Sequence, residues 1–95
     1  MQGKIFLKIY VIGGENSRSK RNILRLNEIM ENNFKGNYEI AVVDLLLDPE
    51  EGEEDRIMAA PTVVKKVPPP IQKIIGSLAD EERVLAGLDL TPEAL

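Results

Sequence analysis

Residues 59–76 read AAPTVVKKVPPPIQKIIG, and the prolines in this stretch decide the fold. Thr62, Val63 and Val64 are all β-branched and follow directly on Pro61, so they read as a short strand. Pro68, Pro69 and Pro70 enforce an extended connection, because proline fixes its own φ and restricts the residue before it. Residues 71–75, IQKII, form a second strand-like run that stops at Gly76. Upstream, Asp48-Pro49-Glu50-Glu51 is a helix start: a capping Asp, proline at the first helical position, then acids at the positive end of the helix dipole. That helix is expected to reach about Ile57, weakened by Gly52.

Further upstream lies a strand–helix–strand unit. Residues 4–12, KIFLKIYVI, place Ile5, Leu7, Ile9 and Val11 on one side and Phe6, Lys8, Tyr10 and Ile12 on the other. Both faces are mostly apolar, which predicts a central strand covered on both sides. Gly13-Gly14 breaks it, and Ser17 or Ser19 can cap the helix that follows. Ile23, Leu26, Met30 and Phe34 recur at helical spacing, and Gly36 supplies the stop. Residues 38–47, YEIAVVDLLL, read as a strand parallel to the first. Downstream of Gly76, Ser77-Leu78-Ala79-Asp80 fits a capping box in type, with a helix from 78 to about 86 ending at Gly87. The same stretch also alternates: Val84, Ala86, Leu88 and Leu90 would share one strand face. Helix and strand both remain open there.

Composition bounds the chemistry. The chain has 95 residues, expected to form one domain over 1–95. With 43% hydrophobic and 29% charged residues it has the balance of a folded domain, not a disordered one. There is no cysteine and no histidine, which removes disulfides, thiol redox chemistry, thiolate nucleophiles and imidazole ligands or bases. No cofactor, catalytic residue or metal site is expected. The net charge of −4 gives no support to nucleic-acid binding, although Arg18, Lys20, Arg21 and Arg25 cluster locally. No apolar run is long enough to span a membrane. Met1 to Lys4 lead straight into a strand without the pattern of a signal peptide, so a cytoplasmic location is expected.

Two motifs have bland competitors. GGENSRSKR, residues 13–21, places a glycine turn before a basic helix start, but it matches neither GxGxxG nor GxxxxGK[ST]. A plain strand-to-helix turn is the simpler reading. The acidic run from Asp48 to Asp55 lacks the spacing of a calcium loop and reads as a solvated helix face. The order of elements, strand–helix–strand, helix, Ala-Pro-Thr, two strands and a last helix, is the α/β thioredoxin-like βαβαββα. In that fold the proline before the third strand is usually cis. A trans proline entering an edge strand is equally compatible with the residues. The turn that would carry catalytic cysteines is 13–19, which has none.

LKIYV near the N-terminus, FKGNYE at 34–39, VVDLLLDP at 42–49, EEDRIMAAPTVVKKVPPPIQKIIGSL at 53–78 and ERVLAGLDL at 82–90 resemble the KaiB family. The resemblance spans about residues 5–90. It implies a non-enzymatic component of a circadian oscillator that docks on a hexameric KaiC-type ATPase and modulates its phosphorylation state. In clocks that have KaiA it sequesters KaiA, and it displaces a histidine kinase with a similar sensor domain. It further implies fold-switching between the thioredoxin-like binding monomer and a resting homotetramer of order βαββααβ. Gly87 and Asp89 match positions that bias this equilibrium, and Gly87→Ala or Asp89→Arg is expected to favour the monomer. Pro61, Pro68, Pro69 and Pro70 match the family's prolines at the switching boundary. Lys65, Lys66, Arg21 and Arg25 are expected as electrostatic partner contacts. Glu39 and Ala41 depart from the family on the strand edge that meets KaiA, where a lysine is usual. The turn at 13–19 is also longer than usual, and the chain ends at Leu95 without the family's acidic tail. These departures suit a system with KaiC and without KaiA. A stress-related homologue serving another signalling protein and a thioredoxin-like enzyme are the rival expectations.

Overall fold

The computed structural model describes residues 4–92. Its elements run β1 (Ile5–Val11), α1 (Ser17–Phe34), β2 (Tyr38–Asp44), α2 (Pro49–Glu54), β3 (Thr62–Val67), β4 (Gln72–Ile75) and α3 (Glu81–Gly87). The order is βαβαββα, and the C-terminal stretch that fitted two periods is helical. The four strands lie in the order β2-β1-β3-β4, with β1 parallel to β2 and antiparallel to β3, and β3 antiparallel to β4. β1 is therefore central, as its two apolar faces require.

The two faces of the sheet carry different cores. On one, Ile5, Leu7, Ile9 and Val11 pack with Leu26, Ile29, Met30 and Phe34 of α1 and with Val84, Leu85 and Leu88 at the C-terminus. On the other, Tyr10, Val43 and Val64 are covered by Leu45 and Ile57, which flank α2. α1 and α3 thus share one face, and α2 has the other.

Several boundaries differ from expectation, each for a local reason. The N-cap of α1 is Asn16, whose side chain accepts from the Ser19 amide at 2.8 Å; Ser17 and Ser19 lie inside the helix. The stop involves Lys35 (φ 42) as well as Gly36 (φ 84), both left-handed. β2 ends at Asp44 because that side chain turns back to bind backbone amides, leaving Leu46 and Leu47 exposed. α2 stops at Glu54, and Asp48 makes no side-chain cap bond. α3 begins at Glu81, capped by Asp80, which accepts from the Arg83 amide. Ser77 is not its cap, because the Ser77 Oγ accepts from the Ala79 amide. The Ala60–Pro61 bond is cis, which resolves the alternative left open by the residues. Val67–Pro68 and Pro69–Pro70 are cis as well.

Candidate protein-docking surface

The turn after β1 is where a thioredoxin-like scaffold would place its reactive groups. Here it is filled from within. The Asp44 carboxylate accepts from the Gly13 amide at 3.0 Å, the Gly14 amide at 2.7 Å and the Leu46 amide at 3.0 Å. The amides of Gly14, Leu46 and Gly13 hold its pKa below the usual carboxylate range. Gly13 has φ 75, a conformation that favours glycine. The Gly13, Gly14 and Ser19 amides are thus engaged from within the chain, which counts against the anion-binding reading of this loop. A groove of about 290 Å³ remains beside the turn, lined by Ile12, Asn16, Arg18, Asn22, Ala60 and Pro61.

A polar hub lies on the other face. The buried Tyr10 donates its hydroxyl to Asp55 Oδ2 at 2.5 Å, and the Glu51 carbonyl lies 3.2 Å away. Lys66 pairs with Asp55, Lys8 binds Glu51 at 2.9 Å, and Lys73 donates to the Asp55 carbonyl at 2.9 Å. Burial opposes ionisation of Asp55, but the bonds from Lys66 and Tyr10 and the charges of Lys66 and Lys8 outweigh it, and its pKa falls. Burial, then the bond to Asp55 and its charge, push the Tyr10 pKa up. The bond to Glu51 raises that of Lys8. The hub ties α2 and its C-terminal flank to β1, β3 and β4. Among the described residues, no group of three or more Asp or Glu is placed to hold a metal ion.

The expected contact residues separate in space. Lys65 stands in β3 opposite Leu7 and Gln72 and is 1% exposed, so in this fold it belongs to the interior and is corrected as a surface contact. Lys66 is the extra residue at the register shift between Phe6 and Leu7, and its ammonium is engaged by Asp55. Arg25 is also committed: its Nε donates to the Leu78 carbonyl and its Nη2 to the Ala79 carbonyl, both at 3.0 Å. Arg21 is exposed beside the exposed Leu24, on the wall of a shallow groove of about 530 Å³ running from α1 to residues 77–79. Glu39 and Ala41 lie on β2, an edge of the sheet, with Glu39 exposed and 4.0 Å from Lys4. Gly87 ends α3 with its α-carbon against β4: a Cβ there would run into the Ile74 Cγ2 methyl. The left-handed residue past the helix is Asp89, at φ 54. Sequence reasoning missed the Asp44 plug, the Tyr10–Asp55 hub and Arg83, all of which depend on partners distant in the chain.

A four-stranded sheet with this helix order defines a thioredoxin-like fold, and the sequence places no cysteine in it. The shape agrees with solved structures: the N-terminal domain of Synechococcus elongatus SasA matches with a TM-score of 0.76 at 18% identity, covering 100% of this chain and 92% of that one. Mitochondrial thioredoxin 3 of Saccharomyces cerevisiae matches with a TM-score of 0.68 at 18% identity, covering 93% and 79%. The KaiB domain model matches residues 8–90. The circadian clock oscillator protein KaiB of Prochlorococcus marinus strain MIT 9211 is 52% identical over 89 residues, covering 94% of this chain and 77% of the relative. That of Acaryochloris marina strain MBIC 11017 is 51% identical, covering 94% and 85%. The chain belongs to the KaiB family.

Proposed function

We propose that this chain is a non-enzymatic regulator of a circadian-type oscillator, acting in the cytoplasm by docking on a hexameric KaiC-type ATPase and modulating its phosphorylation state. Its family membership over residues 8–90 carries this reading. The filled β1–α1 turn and the lack of cysteine and histidine support a binding role over catalysis. Arg21 is the partner-facing cation of the basic α1 face, whereas Lys66 lies on the opposite, α2 face, held by Asp55. The test is co-sedimentation with a KaiC-type ATPase and ATP over many hours. A stable complex is expected; none after prolonged incubation overturns the proposal. The long wait matters because a sparsely populated competent state lowers apparent affinity.

The βαβαββα form is, on this proposal, the binding-competent monomer, in exchange with a βαββααβ homotetramer. Size-exclusion chromatography of the native chain decides it: a monomer as the sole species at all concentrations removes the second state. Asp89→Arg is expected to favour the monomer; position 89 is exposed, at φ 54 just past α3. Gly87→Ala is expected to act the same way only if Ile74 rotates to admit the new methyl. An unchanged tetramer in both variants refutes the role of these positions. With Glu39 and Ala41 on the β2 edge, a partner system without KaiA fits best, and a titration with KaiA that gives no ternary complex is expected. Displacement of a histidine kinase from the same ATPase is the further expected consequence.

A further inference from the structure

The segment between β4 and α3 is held in an unusual way. Four of the five carbonyls from Ile75 to Ala79 accept from just two guanidinium groups. Arg25, on α1, takes Leu78 and Ala79. Arg83, on α3, donates Nη1 to the Ser77 carbonyl and Nη2 to the Ile75 carbonyl, both at 2.9 Å. The remaining polar groups of the segment are few: the Gly76 amide bonds Pro61, and Ser77 bonds Ala79. Gly76 sits at φ 95, where the chain leaves the sheet. Leu78 alone among residues 76–80 is buried, and it anchors in the core shared with Leu26 and Val84.

We propose that Arg25 and Arg83 form a latch: two positioning residues that fix segment 75–79 and thereby set how readily α3 leaves the sheet. The physical case is that α3 docks by a short apolar stripe, Val84, Leu85 and Leu88, whose seating depends on how the segment before it is placed. The helix spans seven residues, too short to persist alone. Its inward side chains, Val84 and Leu85, need the backbone before them to be placed first. An irregular segment has no ladder of its own, so its carbonyls must find donors elsewhere. Arginine suits this task, since its planar fork reaches two acceptors at once and lysine reaches only one in fixed geometry. Arg25 draws the segment to α1, while Arg83 folds the first turn of α3 back onto it. The two arms therefore act on the same carbonyl row from opposite ends.

The latch stands on this structure alone. Its consequence for partner capture rests on the two-state reading given above: a weaker latch shortens the life of the βαβαββα form. The experiment is native-state hydrogen exchange on the full chain, comparing wild type with Arg25→Ala, Arg83→Ala, Arg25→Lys and, as a control, Arg18→Ala. Each alanine variant is expected to speed exchange of the amides in 77–88 by roughly fivefold to tenfold, with β1 and the centre of α1 unchanged. Arg25→Lys keeps the charge and the stem, and is expected to recover less than half of the protection. Arg18→Ala leaves the pattern as in wild type. Exchange that rises equally across β1, α1 and α3, or that is restored fully by lysine, overturns the latch. If local exchange rises as stated while capture by the KaiC-type ATPase is unaffected, the latch holds and the two-state reading fails.

Discussion

Replacing Tyr10 by phenylalanine removes one oxygen from the hub beneath α2. The ring is fully buried and its hydroxyl lies 2.5 Å from Asp55 Oδ2, with the Glu51 carbonyl a secondary acceptor. Phenylalanine fills the same volume, so no cavity opens and the loss is the hydrogen bond itself. Bonds to charged groups contribute about 1.5–3 kcal/mol. Asp55 keeps Lys66, and its side chain retains 11% exposure, so water can partly replace the lost donor. The lower end therefore applies, about 1.5 kcal/mol. That corresponds to a drop in Tm of about 6–12 °C for a domain of this size, or about 1 M in the urea midpoint.

The pH dependence makes the test sharper. The folded pKa of Tyr10 lies above the unfolded value of about 10. Its contribution is complete below pH ~10 and is lost as pH rises beyond it, because the unfolded chain releases its proton first. At pH 11 wild type should have lost about 1.4 kcal/mol through this one group, while the phenylalanine variant loses nothing there. The gap between the two proteins, clear at pH 7, should nearly close. Urea titrations of both at pH 7 and pH 11 measure it. Tyr38→Phe is the comparison, since its bond to Glu31 is at the surface and its removal should cost only about 0.5 kcal/mol. A pH 7 difference for Tyr10→Phe below about 0.5 kcal/mol, or a gap that does not narrow at pH 11, refutes the reasoning.

Asp44→Ala should release the Gly13, Gly14 and Leu46 amides, lower Tm and speed exchange at those three positions; unaltered exchange there would remove the carboxylate from its assigned role. Asp55 has a depressed folded pKa, so its contribution is present above pH ~4 and is lost as pH falls further. Asp55→Asn should accordingly be less stable than wild type at pH 7, yet lose less on acidification below pH 4, which circular dichroism melts across that range will check. Arg21→Glu should slow capture by a KaiC-type ATPase by roughly threefold to tenfold at low ionic strength, and the effect should fade in high salt. Surface plasmon resonance at two salt concentrations reads it, and a salt-independent loss would argue against a steering role.

How much of this was visible in the residues depends on how local each cause is. The two apolar faces of residues 5–11 announced a central strand, and Asp48-Pro49 announced α2, because both signals lie within one element. The burial of Lys65 was also legible: in TVVKKV it stands two residues after Val63, on the same face of β3. Its charge suggested a surface role, and the period of two overrode that. Lys66 escaped because the register shift opposite Phe6 and Leu7 comes from strand pairing, not from the local pattern. The start of α3 was misplaced for a similar reason. Ser77 and Asp80 are both good caps, and the choice was made by Arg25, more than fifty positions away in the chain. The isomer of the Ala60–Pro61 bond was undecidable locally, since cis and trans differ by only about 0.5–1 kcal/mol before tertiary packing acts.

The same distinction bears on the binding role proposed above. Catalysis at a strand-to-helix turn needs unsatisfied donors and a nucleophile. In this chain Asp44 saturates the Gly13, Gly14 and Leu46 amides, and Asn16 caps α1 through the Ser19 amide. What the interior does not consume is surface charge, and the fold sorts it. The N-terminal half of α1 carries Arg18, Lys20, Arg21 and Arg25 on one face of the sheet. α2 carries Glu50, Glu51, Glu53 and Glu54 on the other, with only Glu51 closely paired among the four, to Lys8. The basic cluster at the start of α1 and the acidic α2 therefore lie on opposite faces of the sheet, although α1 itself also carries Glu28 and Glu31 and α3 beside it Glu81 and Glu82. Such a distribution turns the approaching protein before contact and suppresses the reversed orientation. Moving the charge rather than removing it separates this orienting effect from simple attraction. Reversing Arg21 and, in the same chain, Glu50 keeps the net charge at −4 but weakens the asymmetry, so association should slow although the total attraction or repulsion is unchanged.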